Sequence, residues 1–167
     1  LLETYLTEEI PELMTNGVQL GAIGQLDRLP SHVRMLIDAA GHATQDNKGL
    51  KLVLALSYGS RAELVEAMRD LARDVRDGRL QPDDIDEETI ADRLYTAGLP
   101  DPDLLIRTSG DQRVSNFLLW QIAYSELYIT AVPWPEFRRP HLEQAFRAFS
   151  SRQRRFGRTG EQVEGEV

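Results

Sequence analysis

The sequence of 167 residues contains no cysteine. A disulfide framework, a thiolate metal site and a cysteine nucleophile are therefore excluded, and a cytoplasmic location is expected. Hydrophobic runs are also short, and none approaches the roughly 20 residues that a membrane-spanning helix needs. The three histidines, His32, His42 and His141, show no metal-ligand spacing, so we assign them no function. The 41% of hydrophobic residues is enough for one globular domain with a core.

Charge is unevenly distributed along the chain. The formal net charge of −8 makes the chain as a whole a poor partner for nucleic acid. Acidic residues concentrate between residues 70 and 92, whereas arginines concentrate near the end, at Arg138, Arg139, Arg147, Arg152, Arg154, Arg155 and Arg158. These arginines follow a regular apolar helix pattern and precede an acidic tail, so we predict no nucleic-acid site there. The tail, 158–167, has too few apolar groups to order itself.

Strand and helix patterns alternate along the chain. Apolar runs predict strands at 18–23, 50–56, 104–106 and 127–130. Helical spacing predicts a helix that ends at 16–17, and further helices over 30–47, 64–75 and 86–95 and from Pro140 onward. The run 50–56 is typical of a central strand covered on both faces. This alternation predicts an α/β fold with a largely parallel central sheet flanked by helices.

Two helices have features that can be checked individually. The helix over 64–75 is predicted to bury one apolar face, formed by Leu64, Val65, Met68, Leu71, Ala72 and Val75, and its charged residues are interpreted as a solvated face. Asp86 is predicted to be the N-cap of the helix that follows it.

A polar loop follows the short strand 104–106. Arg107 and Arg113 flank this loop, and Thr108, Ser109 and Ser115 add hydroxyl groups. A helix is predicted to start at Phe117, so free backbone N–H groups are expected just before it. Guanidiniums, hydroxyls and N–H groups can each donate to a different oxygen of a phosphate, and we therefore predict a diphosphate site.

Two other strands also end in small polar loops, at Gly24-Gln25 and at 57–61. In open α/β sheets the carboxyl ends of the strands border the ligand crevice. We therefore expect these loops to share one site with the loop that begins at Arg107.

Simpler interpretations of the same residues stay open. Arg107 and Arg113 can be surface partners of Asp101, Asp103 and Asp111, because most loop charges are solvated. Ser115-Asn116 can be a helix cap, Glu126 can be an exposed edge carboxylate, and 117–120 can belong to the core or to a dimer interface.

The loop and its surroundings carry a recognisable signature. The stretch is Ile106-Arg-Thr-Ser-Gly-Asp-Gln-Arg-Val-Ser-Asn-Phe-Leu-Leu-Trp-Gln-Ile-Ala-Tyr-Ser-Glu-Leu-Tyr128, followed by Trp134-Pro-Glu-Phe137 and Arg154-Arg-Phe-Gly157. Together with Gly24-Gln-Leu-Asp-Arg-Leu-Pro30 and Leu56-Ser-Tyr-Gly-Ser-Arg61, it closely resembles the cis-prenyltransferases, above all the bacterial undecaprenyl diphosphate synthases. The resemblance implies the α/β fold of these synthases, incomplete at the N-terminus, in one domain over 1–157.

The resemblance also implies an activity. Members of this family condense isopentenyl diphosphate with an allylic diphosphate, commonly farnesyl diphosphate, and they use Mg²⁺. It assigns Arg107, Arg113 and Ser115 to the isopentenyl diphosphate headgroup, and Glu126 to Mg²⁺. Arg155 and Gly157 match a C-terminal element that reaches this site across a homodimer interface. A cytosolic role in cell-wall lipid synthesis is expected, with peripheral membrane association through the lipid product.

The chain departs from the family pattern in two ways. Asp111 stands where Glu is usual, and Ser57 and Ser60 replace the usual Asn and second Gly. The family motif Asp-Gly-Asn-Gly-Arg-Trp-Ala, which carries the catalytic Asp, is not found in these 167 residues, so we expect that an N-terminal segment is missing. The alternatives are a non-catalytic companion subunit, an inactive truncated fragment or, more distantly, an unrelated phosphate-binding module.

Overall fold

The computed structural model describes residues 2–152, apart from the side chains of residues 2, 3 and 7. The chain divides into two compact units, with the boundary between Leu99 and Pro100. We call residues 2–99 the first unit and residues 100–152 the second. Each contains a pair of parallel strands with helices, so the predicted α/β class is confirmed. One domain over 1–157 stays a prediction, and the tail 158–167 lies outside the described residues.

The first unit has four α-helices and one strand pair. Helices α1 (Leu2–Thr15), α2 (Ser31–Thr44), α3 (Ser60–Arg76) and α4 (Glu87–Ala91) accompany strands β1 (Gln19–Ile23) and β2 (Lys51–Ala55). The two strands are parallel, in a register that runs from Gln19 opposite Lys51 to Ile23 opposite Ala55. All but α4 match the predicted elements within a few residues at each end.

A small core in the first unit lies among α1, α2 and β1. Leu6, Leu20, Ile37 and Ala40 are buried there, and Leu6 and Ile37 belong to the predicted helical spacing. The hydroxyl of Thr44 accepts a hydrogen bond from Leu20 N–H at 2.9 Å and donates to Ala40 O at 2.9 Å. This fully buried side chain therefore fixes the end of α2 against β1.

The carboxyl ends of β1 and β2 approach each other very closely. Gly24 has φ +113, and a Cβ at this position would lie 2.2 Å from Leu56 O. Leu56 N–H donates to Ile23 O at 2.9 Å, and Gln25 N–H donates to Ser57 O at 3.4 Å. Only glycine allows this approach, which brings the two loops after these strands together.

Two burial predictions in the first unit are wrong. Within the described chain, β2 pairs along one edge with β1, and its central residues are only half-buried. On α3, Leu71 is buried as predicted, but Val65 and Met68 are 49% and 43% exposed, whereas Glu63 is fully buried. The helix can bury Glu63 because its carboxylate is hydrogen-bonded to Tyr58 OH and Tyr95 N–H.

Helix α4 is shorter than predicted. Asp86 caps it as expected, because Thr89 N–H donates to Asp86 Oδ1 at 2.8 Å in a capping box. The helix ends at Ala91, and hydrogen-bonded turns follow it, with Leu94 N–H bonded to Ala91 O at 3.1 Å. Outside α4, Asp74 on α3 accepts from Arg79 at 2.6 Å and from Arg93 at 2.7 Å, which ties these turns to α3.

The second unit contains strands β3 (Leu104–Arg107) and β4 (Glu126–Ile129) and helix α5 (Arg139–Ser150). The strands are parallel, from Leu104 opposite Glu126 to Arg107 opposite Ile129. The helix predicted at Phe117 is wrong, because residues 117–124 form bends and turns. Ser115, Asn116 and Leu118 have φ between +48 and +61, which is incompatible with a continuous right-handed helix. None of the described helices meets the length and hydropathy needed to cross a membrane.

Candidate functional site

Arg107 is the last residue of β3, and its side chain meets the loop that follows the strand. Arg107 Nη2 donates to Asp111 Oδ2 at 2.9 Å and lies 3.3 Å from Ser115 Oγ. Arg113 Nη2 donates to Asp111 Oδ1 at 2.9 Å. One carboxylate therefore holds both guanidiniums, and the loop brings together the three residues Arg107, Arg113 and Ser115 that the sequence analysis singled out.

The electrostatics of this cluster favour an anion. The hydrogen bond from Arg107 holds the pKa of the Asp111 carboxyl below its ordinary value, and the charge of Arg113 lowers that pKa further. Asp111 is thus ionised near neutral pH, where both arginines are charged. The two guanidiniums and one carboxylate leave an excess of one positive charge. The arginines are therefore paired with Asp111, as one of the simpler interpretations holds. Each guanidinium still has other N–H donors that this pairing does not use.

One of those donors is buried. Among the described residues, Arg107 Nε has no hydrogen-bond acceptor, although the whole side chain is 35% exposed. A buried donor without an acceptor carries a desolvation cost that a bound anionic oxygen would offset. A pocket of about 410 Å³ opens beside it, and Leu105, Val114, Leu127 and Ile129 form its apolar wall. The site therefore places cationic donors next to a small apolar space.

The loop backbone is fixed to the segment after β4. Ser109 N–H donates to Val132 O at 3.0 Å, and Gly110 N–H donates to Thr130 O at 2.8 Å. These two N–H groups at the start of the loop are therefore already used within the protein. Ser109 and Ser115 have φ +64 and +49, a left-handed conformation that such residues adopt at a cost and that is common at functional sites.

Glu126, the predicted Mg²⁺ ligand, is the first residue of β4. Its Oε2 accepts from Arg152 Nη1 at 2.8 Å, and the same nitrogen donates to Leu127 O at 2.8 Å. Within residues 2–152, no three acidic or histidine side chains come together as a metal site would require. Glu126 as a ligand therefore stays a prediction, and a cation there would draw its other ligands from elsewhere, such as the diphosphate oxygens of a substrate. Arg155 and Gly157 lie outside the described residues.

A second polar cluster, which the sequence analysis missed, lies at the carboxyl ends of β1 and β2. Glu63 accepts from Tyr58 OH and from Tyr95 N–H, the latter at 2.9 Å. Glu66 accepts from Tyr95 OH and from Gln25 Nε2, the latter at 2.7 Å. The sequence pattern predicts a solvated face for the charged residues of α3, and only the position of Glu63, three residues after the helix start, indicates another role.

These bonds shift two pKa values in opposite directions. The hydrogen bond from Tyr95 lowers the pKa of Glu66, and that from Gln25 lowers it further. Burial raises the pKa of Tyr95, and its bond to Glu66 adds to the increase. Glu66 therefore stays ionised and Tyr95 stays protonated near neutral pH. The structure also brings together two of the three polar loops, and their sharing a site with the loop after Arg107 stays a prediction.

Comparison with known proteins identifies relatives over nearly the whole chain. Residues 1–157 match the family model described as putative undecaprenyl diphosphate synthase. An isoprenyl transferase of Porphyromonas gingivalis is 50% identical over 163 residues, which are 98% of this chain and 64% of that protein. An isoprenyl transferase of Geobacillus kaustophilus is 49% identical over 157 residues, which are 94% of this chain and 61% of that protein. The chain thus spans less than two thirds of the length of these relatives.

Solved structures agree with this grouping. Lavandulyl diphosphate synthase from Lavandula x intermedia, solved in complex with dimethylallyl diphosphate, has a TM-score of 0.90 and 42% identity, covering 93% of this chain and 68% of that one. A probable undecaprenyl diphosphate synthase from Campylobacter jejuni has a TM-score of 0.79 and 34% identity, covering 94% of this chain and 71% of that one.

Proposed function

The chain belongs to the cis-prenyltransferase family, and on this premise we propose that it takes part in condensing isopentenyl diphosphate with an allylic diphosphate. Farnesyl diphosphate is the allylic substrate we propose, and a cis-polyprenyl diphosphate such as undecaprenyl diphosphate is the product. The solved relative that holds dimethylallyl diphosphate supports an allylic diphosphate as the substrate class. Within this activity, we assign binding of isopentenyl diphosphate to the loop after β3.

The observation that carries this assignment is the cluster of Arg107, Arg113 and Ser115 around Asp111. A diphosphate presents several anionic oxygens, and guanidiniums donate to such oxygens in a fixed, bidentate geometry. The buried Arg107 Nε–H can donate to one of them and gain the acceptor that it lacks among the described residues. Asp111 keeps the two guanidiniums oriented before the substrate arrives.

The pocket beside the cluster matches the rest of isopentenyl diphosphate. Its apolar wall, which includes Leu105 and Ile129, is suited to a short hydrocarbon group attached to the diphosphate. An apolar wall also excludes water from the neighbourhood of the reacting carbon.

In the condensation, the double bond of isopentenyl diphosphate forms a new carbon–carbon bond to C1 of the allylic substrate. The allylic C–O bond breaks, diphosphate leaves with the electron pair, and a proton leaves the isopentenyl unit. The share of this chain is to hold the isopentenyl double bond in line with the allylic carbon, because correct orientation removes much of the entropic barrier. Arg107 and Arg113 contribute through the headgroup that they anchor.

We propose Mg²⁺ as the cofactor. When bound, a hard divalent cation neutralises charge on the diphosphate groups and usually shares one or two carboxylates with them. Glu126 is the carboxylate that we propose as a ligand of this cation, together with residues outside the cluster around Asp111. In this structure Glu126 Oε2 accepts a hydrogen bond from Arg152.

We propose a homodimer in which Arg155 and Gly157 of one copy complete the isopentenyl diphosphate site of the other. We also propose a cytoplasmic location, with peripheral membrane association through the lipid product. Cross-linking and light scattering of the purified chain test the dimer.

Turnover tests the proposed activity directly. The purified chain is incubated with labelled isopentenyl diphosphate, farnesyl diphosphate and Mg²⁺, and extractable polyprenyl product is measured. Labelled product that requires the metal would support catalysis by the chain itself. No product together with retained binding of isopentenyl diphosphate would contradict catalysis by this chain and leave the binding site standing. Neither product nor binding would contradict the whole proposal.

A further inference from the structure

The carboxylate proposed as a ligand of Mg²⁺ is already paired with a cation of the chain itself. Glu126 Oε2 accepts from Arg152 Nη1 at 2.8 Å, and the two side chains are 27% and 40% exposed, so water screens this ion pair only in part. A single carboxylate also suits Mg²⁺, which prefers hard oxygen ligands and usually shares one or two carboxylates with substrate phosphates. The arginine and the proposed metal therefore use the same group.

Backbone hydrogen bonds hold both partners of this ion pair in place. Arg152 N–H donates to Phe149 O at 3.0 Å, which fixes Arg152 to the turn that ends α5. Glu126 N–H donates to Asp103 O at 2.9 Å, which fixes the start of β4 to the residue before β3. Because both backbones are ordered by these bonds, forming the ion pair orders only the two side chains, and less conformational entropy opposes it.

A second hydrogen bond keeps the guanidinium beside β4. The same Arg152 Nη1 donates to Leu127 O at 2.8 Å. This bond does not involve the carboxylate, so a rotation of the Glu126 side chain toward another partner leaves the arginine next to the strand. A divalent cation bound to Glu126 would therefore have a positive charge close to it. Repulsion between like charges at short range disfavours binding of such a cation.

We infer that Arg152 is a positioning residue that competes with a divalent cation for Glu126 and so lowers the affinity of the chain for that cation. The inference rests on the proposed function, which makes Glu126 a ligand of Mg²⁺. Arg152 binds no substrate in this role and acts through the carboxylate. A lowered affinity favours binding of the cation together with a diphosphate, because the diphosphate oxygens are further ligands.

Binding of Mn²⁺ tests this competition without any turnover. Mn²⁺ prefers the same oxygen ligands as Mg²⁺, and its paramagnetism allows the free ion to be measured in solution. The full chain is titrated with Mn²⁺ alone and again with isopentenyl diphosphate, after correction for the Mn²⁺ that the diphosphate binds by itself. Arg152→Gln and Arg152→Met remove the competing charge, Arg152→Lys keeps it, and Glu126→Gln removes the carboxylate. Arg139→Gln is the matched control, since Arg139 also belongs to α5 and pairs with Glu143 at 2.8 Å.

We expect Arg152→Gln and Arg152→Met to bind Mn²⁺ about fivefold more tightly than the wild type, as the loss of one partly exposed ion pair implies. Arg152→Lys should stay within about twofold of the wild type, because the positive charge is kept. Glu126→Gln should bind Mn²⁺ more weakly, and adding Arg152→Gln to it should bring no gain. Arg139→Gln changes the net charge equally and should match the wild type.

Equal or weaker binding of Mn²⁺ by the two uncharged Arg152 variants, together with weaker binding by Glu126→Gln, would overturn the inference and leave Glu126 as the ligand. The same gain from Arg152→Gln in the Glu126→Gln background would also overturn it, because the arginine would then act through overall charge. Unchanged binding by Glu126→Gln would contradict the proposed ligand, and the inference with it.

Discussion

The loop after β3 and the loops after β1 and β2 occupy equivalent places at strand ends but are built from opposite charges. After β3, two arginines surround a single carboxylate, and one buried guanidinium nitrogen lacks an acceptor among the described residues. After β1 and β2, two carboxylates on α3 accept from neutral tyrosine, glutamine and backbone donors. The first arrangement has donors left over, whereas the second uses its donors internally.

This difference separates two tasks within one family fold. Spare cationic donors suit a loop that binds an anion, because the ligand supplies the missing acceptors. Carboxylates that are satisfied by neighbouring loops suit a scaffold, because they would repel a phosphate brought close to them. We therefore assign a binding role to a strand-end loop that has excess positive charge and unpaired donors. We assign a supporting role to strand-end loops whose donors are already used by carboxylates.

The largest effect is expected where the scaffold depends on a single glycine. In Gly24→Ala the new Cβ would lie 2.2 Å from Leu56 O at a φ of +113, so the strand ends must separate. We expect a loss of about 4 kcal/mol or more in the free energy of unfolding. Urea denaturation of the full chain measures it.

Gly78→Ala is the matched control for this substitution. Gly78 also has a positive φ, of +72, but a Cβ there would meet nothing within 4 Å. Only the backbone preference is lost, which costs about 1 kcal/mol. Equal losses for the two variants would show that the close approach of the strand ends contributes nothing.

Acid should weaken the loop after β3 and the turns after α4 through the carboxylates that hold them. The pKa of Asp111 is lowered by Arg107 first, and that of Asp74 by Arg79 first, relative to an ordinary value of 3.8. The unfolded chain therefore binds these protons more readily, so the stabilisation is complete above the ordinary pKa and is lost as pH falls through the folded values. Urea midpoints between pH 6 and pH 2, in steps of about one unit, should fall less steeply in Asp74→Asn and Asp111→Asn. Identical slopes in wild type and variants would refute these pairings.

Within the loop after β3, Arg113 should matter less than Arg107 for the proposed binding of isopentenyl diphosphate. Its side chain is 73% exposed, against 35% for Arg107, so water screens its interaction with a ligand more strongly. We expect Arg113→Ala to weaken isopentenyl diphosphate binding by about 1 kcal/mol, or roughly fivefold. Calorimetric titration measures it, and a loss larger than that of Arg107→Ala would reverse the proposed ranking.

The smallest effect concerns Ser57, where the family usually has Asn. Ser57 has φ +47, a left-handed conformation that Asn adopts more readily than most residues. Ser57→Asn should therefore stabilise the chain by about 0.5 kcal/mol, measured as a shift of the urea midpoint. Ser151→Asn, at φ −84, should bring no such gain. Destabilisation by Ser57→Asn would mean that the serine makes a contact that outweighs its backbone strain.

Local sequence signals predicted most of the fold. Apolar runs and helical spacing located β1, α2, β2 and α3, and Asp86 was recognised as a cap from its type and position. The predicted cluster of Arg107, Arg113 and Ser115 also forms, because these residues are close in sequence and share one loop.

The failures involve contacts between distant segments. Glu63 is buried because it bonds to Tyr58 and Tyr95, five and 32 positions away. Helical periodicity carries no information about such distant partners. The apolar residues after Ser115 resemble a helix start, but consecutive residues with positive φ impose turns instead. Local propensity is overridden in both cases, and both lie next to candidate site loops.

Titration of the chain with isopentenyl diphosphate, in the wild type and in Arg107→Ala, tests the central assignment most directly. We predict that Arg107→Ala loses about 1.5–3 kcal/mol of binding free energy, from the charge-assisted hydrogen bonds of one guanidinium. Arg147→Ala, which removes an arginine from α5, should bind like the wild type. An affinity of Arg107→Ala equal to that of the wild type would contradict the assignment of the loop after β3 to the isopentenyl diphosphate headgroup.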